Sequence, residues 1–178
     1  MKIYSIYILN KAGGLIYQAD LNPGLSKLSV NDYLVLAGTL HGVHAIATRL
    51  RPEEAQSTHD DPATINSSII STGKANTPDS NRLGLQSIET DYFSLYVFQT
   101  LTGIKFFIIT SPAKPVDQVA PASSSDRSLK KQLDVASDIF KKIYLYYCDY
   151  VMKDPFYSLD MPIKSPVFEA KVKGLAKA

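Results

Sequence analysis

The sequence predicts an α/β domain of the α+β kind, a five-stranded antiparallel sheet in the element order β-β-α-β-β-β-α-α with helices on both faces. Three features lead there. Asn10-Lys11-Ala12-Gly13-Gly14 separates two short runs rich in Ile and Tyr, the pattern of a β-hairpin. A later run, Ile104-Lys105-Phe106-Phe107-Ile108-Ile109, is apolar on both sides of the pleat except at Lys105, so it needs cover on both faces of the sheet. Two long helical patterns are available as that cover, and each is apolar over more than one face.

At 178 residues the chain suits one domain, 1–178, with one core. Hydrophobic residues are 45% and charged residues 20%, which excludes wholesale disorder and a fibrous class. A formal charge of +2, from 19 Lys+Arg against 17 Asp+Glu, provides no field to recruit nucleic acid or a membrane surface. The single cysteine, Cys148, excludes an internal disulfide framework and points to a reducing, cytosolic setting. The apolar N-terminus breaks at Asn10-Lys11, too early for a signal peptide. No run reaches the roughly 20 apolar residues that cross a bilayer as a helix, so membrane contact is expected to be peripheral.

Residues 2–9 and 15–19 are the predicted hairpin strands. Gly13-Gly14 supplies the positive φ values of a tight turn. It is no phosphate loop, because no Lys-Ser/Thr follows and no helix begins there. Ser29, with Asp32 three residues on, resembles a capping box, and a helix is expected from there to about residue 50. Val30, Tyr33, Leu34, Ala37, His41, His44 and Ala47 form one stripe of it. Leu36, Leu40, Val43, Ile46 and Leu50 form a second, about a third of a turn away. A surface helix needs only one apolar stripe, so the second predicts a partner.

Residues 51–82 are dominated by Pro, Ser, Thr, Asn and acidic side chains and read as a flexible polar insertion. Three strands at 83–90, 93–100 and 104–110, joined by Asp91-Tyr92 and Leu101-Thr102-Gly103, make an antiparallel meander. Residues 111–127, with Pro112, Pro115, Pro121 and Ser123-Ser124-Ser125, read as a polar linker. A second long helix over 128–152 aligns Leu129, Leu133, Ala136, Phe140, Ile143, Tyr147 and Val151, with Ile139, Tyr146 and Tyr150 beside them. Asp154-Pro155 ends it, since proline disfavours a helical residue before it and has no N–H. An irregular stretch, Phe156-Tyr157-Ser158-Leu159-Asp160-Met161-Pro162-Ile163, displays apolar groups. A short basic helix over 167–178 is expected last.

Chemistry is sparse. His41 and His44 share a helical spacing that suits a metal, but no acidic or thiolate third ligand is near, and they read as a core or interface pair. Cys148, among Tyr146, Tyr147 and Tyr150, reads as a buried, inert hydrophobe. Glu53-Glu54 and Asp60-Asp61 are loop neighbours with nothing to fix acid and base geometry. His59 lies in the same polar insertion, and Asn66-Ser67-Ser68 is a sequon without meaning in a cytosolic chain. No catalytic, cofactor or metal residue is assigned.

Three segments carry a resemblance: Asn10-Lys11-Ala12-Gly13-Gly14-Leu15-Ile16-Tyr17-Gln18, Gln99-Thr100-Leu101-Thr102-Gly103-Ile104-Lys105-Phe106, and Asp154 through Ile163. Together, and in this order, they resemble the synbindin family, the fourth-numbered subunits of the TRAPP tethering complex. The resemblance implies a longin-like fold, whose layout is the element order read above. It also implies a core subunit in endoplasmic reticulum to Golgi traffic, contributing within the assembly to guanine-nucleotide exchange on a Rab GTPase of the Rab1 type. Its partners would be other TRAPP core subunits, a second longin-like subunit among them, and the chain would be cytoplasmic, held at endoplasmic reticulum and cis-Golgi membranes only through the complex. Animal members carry a PDZ-like insertion after the first helix, whereas residues 51–82 here are shorter and polar, so nothing of that insertion transfers.

An exchange factor favours the nucleotide-free, open GTPase over the closed one and needs no proton-transfer residue. Leu36, Leu40, Val43 and Ile46 are the expected face toward the second longin subunit. Phe156, Tyr157, Leu159, Met161 and Ile163 either contact the GTPase or a neighbouring subunit or simply seal the open side of the sheet. A stand-alone longin adaptor, such as a coat small chain or the regulatory domain of a SNARE, is the alternative. For a SNARE, the chain lacks a downstream heptad coil and membrane anchor.

Overall fold

The N-terminal hairpin forms from β1 (Ile3–Leu9) and β2 (Leu15–Asp20), and Asn10 locks the turn between them. Its backbone N–H donates to the Gly14 carbonyl at 2.9 Å, and its side-chain Oδ1 accepts from the Gly14 N–H at 2.7 Å. Gly13 sits at φ +92°, where a Cβ would stand 2.7 Å from the His41 ring, so conformation and space both require glycine. This structure, a computed structural model, describes residues 1–50, 85–112 and 122–175, and their side chains except those of 122–130.

The meander consists of β3 (Ser87–Glu89), β4 (Ser94–Gln99) and β5 (Lys105–Thr110). The sheet order is β2-β1-β5-β4-β3, with every neighbouring pair antiparallel. Sequence-distant β1 and β5 are therefore paired at the centre, and all six residues of β5 are buried. Lys105 is among them.

Alternation along the central strands sorts two cores. On one face Ile6, Ile8, Tyr96, Phe98, Phe106 and Ile108 meet Ala136, Phe140, Ile143 and Tyr147 of α2 (Ala122–Tyr147), and Phe168 and Val172 of α3 (Pro166–Leu175). Phe98 stacks on Phe140 with ring centroids 5.5 Å apart, and Phe106 meets Tyr147 edge-on at 5.8 Å, geometries that add to simple burial. On the other face Tyr7, Leu9, Leu95, Val97, Phe107 and Ile109 meet Tyr33, Ala37 and Leu40 of α1 (Val30–Ala47). Helices thus cover both faces, and the order β-β-α-β-β-β-α-α is the longin-like layout.

Boundaries differ from expectation in physical ways. β3 starts at Ser87, later than residue 83, and α1 ends at Ala47 with Thr48 as its C-cap. The linker expected over 111–127 is cut short, because α2 already begins at Ala122. Its composition misled: a proline at or just before the first turn loses no intrahelical N–H bond, so Pro121 is compatible with a helix starting beside it. At the other end α2 passes into a π-helical turn, Cys148–Met152, before Asp154-Pro155. The last helix starts at Pro166. The insertion read at 51–82, residues 113–121 of the linker and the final residues 176–178 lie outside the described residues.

Two glycine-to-alanine changes should separate required from dispensable glycines. Gly13→Ala is expected to cost about 1–3 kcal/mol, through a left-handed backbone and a clash with His41. Gly38→Ala, in the middle of α1 with nothing within 4 Å of the added methyl, should stabilise the isolated chain by about 1 kcal/mol. Urea denaturation of the two variants beside the parent chain checks both signs.

Candidate partner-binding surfaces

α1 is set by its first turn. The Asp32 N–H donates to Ser29 Oγ at 3.2 Å, and the Ser29 N–H donates to Asp32 Oδ2 at 3.1 Å, a reciprocal capping box. The Ser29 hydroxyl, donating to Asp32 Oδ2 at 2.7 Å, and then the Ser29 N–H hold the Asp32 carboxyl below its usual pKa.

The helix turns Tyr33, Ala37, Leu40 and His44 inward, a set drawn from both predicted stripes. Their four-three-four spacing confines them to about 60° of arc, the narrow seam of a helix lying on a sheet. Leu40 is a correction: expected on the partner face, it is only 6% exposed and belongs to this chain's own core. Leu36 is half-buried against that core, while Val43 is 43% and Ile46 61% exposed. The true outward face adds Leu34 and Val35, which sequence reasoning placed on the inner stripe and on neither stripe.

That outward face is unusually bare of charge. No Asp, Glu, Lys or Arg occurs from Tyr33 through Thr48. Thr39, its one hydroxyl residue, donates back to the Val35 carbonyl at 2.8 Å and so requires no outside partner. Exposed apolar side chains grouped on one uncharged face make it a candidate interaction surface.

The glycine-rich segments of the resemblance meet at one corner beneath the C-terminal half of α1. Gly103, at φ +88°, packs against the Lys11 side chain, and the Ile104 N–H donates to Thr100 Oγ1 at 3.1 Å, closing the β4–β5 turn on itself. His44 spends Nε2 on Gln99 Oε1 at 2.6 Å. The histidine pair is thus a packing feature, and no group of three metal-binding side chains occurs among the described residues. Cys148 is half-buried, not fully buried as expected.

The segment after α2 divides into two roles. Asp154 Oδ1 accepts the Phe156 N–H at 2.9 Å, the Tyr157 hydroxyl donates to the Met161 carbonyl at 3.0 Å, and the Ile163 N–H donates to the Ile16 carbonyl of β2 at 2.8 Å. Tyr157 and Ile163 pack on the core and seal the sheet. Burial, then the nearby Asp160 charge, pushes the Tyr157 pKa up. Phe156, 94% exposed, and the exposed Leu159 and Met161 face outward on a loop already ordered by its own hydrogen bonds. Asp160, at φ 70°, makes the turn between Leu159 and Met161.

Comparison with known proteins places the chain. Residues 3–123 and 125–178 match the Sybindin-like family. A Dictyostelium discoideum protein named Trafficking protein particle complex subunit 4 is 36% identical over 175 residues, covering 98% of this chain and 96% of that one. The Bos taurus protein of the same name is 31% identical over 157 residues, 88% of this chain but 51% of its own, so the chain spans about half the length of this mammalian relative. A Dictyostelium discoideum protein named Trafficking protein particle complex subunit 1 is 28% identical over 170 residues, 93% of this chain and 88% of that one. With two matched stretches covering nearly the whole sequence and a relative similar along its full length, the chain belongs to the Sybindin-like family.

Proposed function

We propose that the chain is a non-catalytic core subunit of a TRAPP-type vesicle-tethering complex in endoplasmic reticulum to Golgi transport, contributing to nucleotide exchange on a Rab1-type GTPase as part of the assembly. The observation that carries the reading is the uncharged outward face of α1 in a chain whose relatives are named as subunits of one complex. At 18 residues α1 is about 27 Å long, enough with flanking surface to anchor an interface of the usual size, about 1,200–2,000 Å² in total.

The partner assigned to α1 is a second longin-like subunit. Support comes from the relative named as subunit 1, 28% identical to this chain over 170 residues, which makes a second subunit similar to this one a natural partner. The preordered loop carrying Phe156, Leu159 and Met161 is assigned to the GTPase or a neighbouring subunit, since a rigid exposed aromatic loses little entropy on binding. Exchange in this scheme is differential binding to the open GTPase by the assembly, with no step borne by a side chain of this subunit alone. No helix among the described residues is long and apolar enough to cross a membrane, and the scheme places the chain peripherally at endoplasmic reticulum and cis-Golgi membranes through its complex.

Two substitutions test the two surfaces. Ile46→Asp should leave the isolated chain within about 0.5 kcal/mol of the parent by urea denaturation, because the site is exposed, yet abolish co-purification with a co-expressed second longin-like subunit. Retention of that complex sinks the α1 assignment. Leu40→Asp is not a substitute, because it would bury a charge and unfold the chain. Phe156→Ala should lower the exchange rate of the assembled complex, or its assembly, by about tenfold or more. Unchanged exchange and assembly would remove the loop from function.

A further inference from the structure

The last row on the α1-facing side of the sheet carries two polar side chains beside one leucine. β1, β5 and β4 place Leu9, Lys105 and Gln99 side by side, since Leu9 pairs with Lys105 and Lys105 with Gln99. The next row, Tyr7, Phe107 and Val97, is apolar. Lys105 is 5% exposed, and its Nζ donates to the Gly103 carbonyl at 3.2 Å. Two histidines of α1 close over this row. His44 is 1% exposed and bound to Gln99, and His41 lies against Gly13 of the β1–β2 turn. His41 Nδ1 is buried and has no hydrogen-bond partner among the described residues.

The groups facing these imidazoles are therefore cationic or neutral. From β5 comes the Lys105 ammonium, from α1 itself the other imidazole, from β4 the Gln99 amide, and from the segment before β3 the Leu85 carbonyl. No carboxylate acts on either ring among the described residues. An amide oxygen only accepts, so the His44–Gln99 bond is Nε2–H donating to Oε1 and is already complete in the neutral ring. A second proton would set a buried imidazolium beside a buried ammonium with no counter-ion among the described residues, so the seated helix disfavours the charged ring.

We propose that His44 and His41 form a proton-released latch on α1: the helix stays seated on the sheet while both imidazoles are neutral and is unseated when they take up protons. Burial foremost, opposed for His44 by the Gln99 bond and the Leu85 backbone and reinforced for both by the Lys105 charge, holds both pKa values below the ordinary histidine value. The unfolded or unlatched chain thus binds protons at higher pH than the seated one. The latch's contribution is complete above the ordinary histidine pKa and is lost as pH falls from there through the lower pKa values of the seated rings. If α1 carries the partner face proposed above, acidification also disperses that face, a consequence that rests on that reading, whereas the latch does not.

The test uses the full chain without partners. The imidazole Cε1–H resonance of His44, assigned by its disappearance in His44→Gln, is followed by NMR through a pH titration. A midpoint below that of an unstructured histidine peptide is expected, and one at or above it overturns the latch. Urea midpoints are then compared at about pH 7.5 and about pH 5.5, which bracket ordinary histidine titration. The parent chain should lose stability on acidification, and both His44→Gln and Lys105→Met should lose clearly less, the second by removing the like charge. An equal loss in the parent and in both variants overturns the proposal. Should His44→Gln fail to fold, assignment through His41→Gln and the Lys105→Met comparison decide the matter.

Discussion

β5 is buried along its whole length, on both faces and along both edges, and the rest of the domain is arranged to keep it so. Its edges are paired by β1 and β4, which satisfies its backbone; its faces are covered by α1 on one side and by α2 with α3 on the other. Phe106 and Ile108 drive one layer, Phe107 and Ile109 the other. Deleting a buried aromatic of this size typically costs about 3–5 kcal/mol, so the two layers are coupled through a single strand. This is also why β1 pairs with a strand nearly a hundred residues away in preference to its sequence neighbours beyond the hairpin.

The same demand leaves α1 with two obligations. It must cover the thinner of the two layers with only Tyr33, Ala37, Leu40 and His44, and it still presents an uncharged face to the outside. The helix gains little from its interior composition, since Gly38 and Gly42 each disfavour it. What holds it is the Ser29–Asp32 capping box, the apolar seam and the His44–Gln99 bond at the far end. A helix held by a narrow seam is suited to be an element that a partner completes and that a change in charge beneath it disturbs.

The segment after α2 combines closure and display without conflict because Tyr157 and Ile163 turn inward while the residues between them stay exposed. Tyr157 and Ile163 fill the open side of the sheet, and the bond from Ile163 to Ile16 covers part of the edge of β2, which would otherwise offer unpaired backbone groups. Phe156, Leu159 and Met161 are left outside by that same anchoring. Of the two readings the sequence left open for this stretch, sealing falls to Tyr157 and Ile163, and the contact proposed above has only the exposed Phe156, Leu159 and Met161 to draw on.

Much was legible in the sequence because it depends on local period and punctuation. The hairpin turn at Gly13-Gly14, the doubly apolar β5, the stripe Ala136, Phe140, Ile143, Tyr147 and Val151, and the stop at Asp154-Pro155 are each written in a few consecutive residues. Which side of α1 turns inward is not. Both of its stripes are apolar, so periodicity assigns them equal claims, and Leu40 was given to the wrong face. Only the sheet decides. The row of Leu9, Lys105 and Gln99 at its end requires a polar partner from α1, His44 is the residue that meets it, and seating His44 rotates Leu40 inward and Val43 and Ile46 outward.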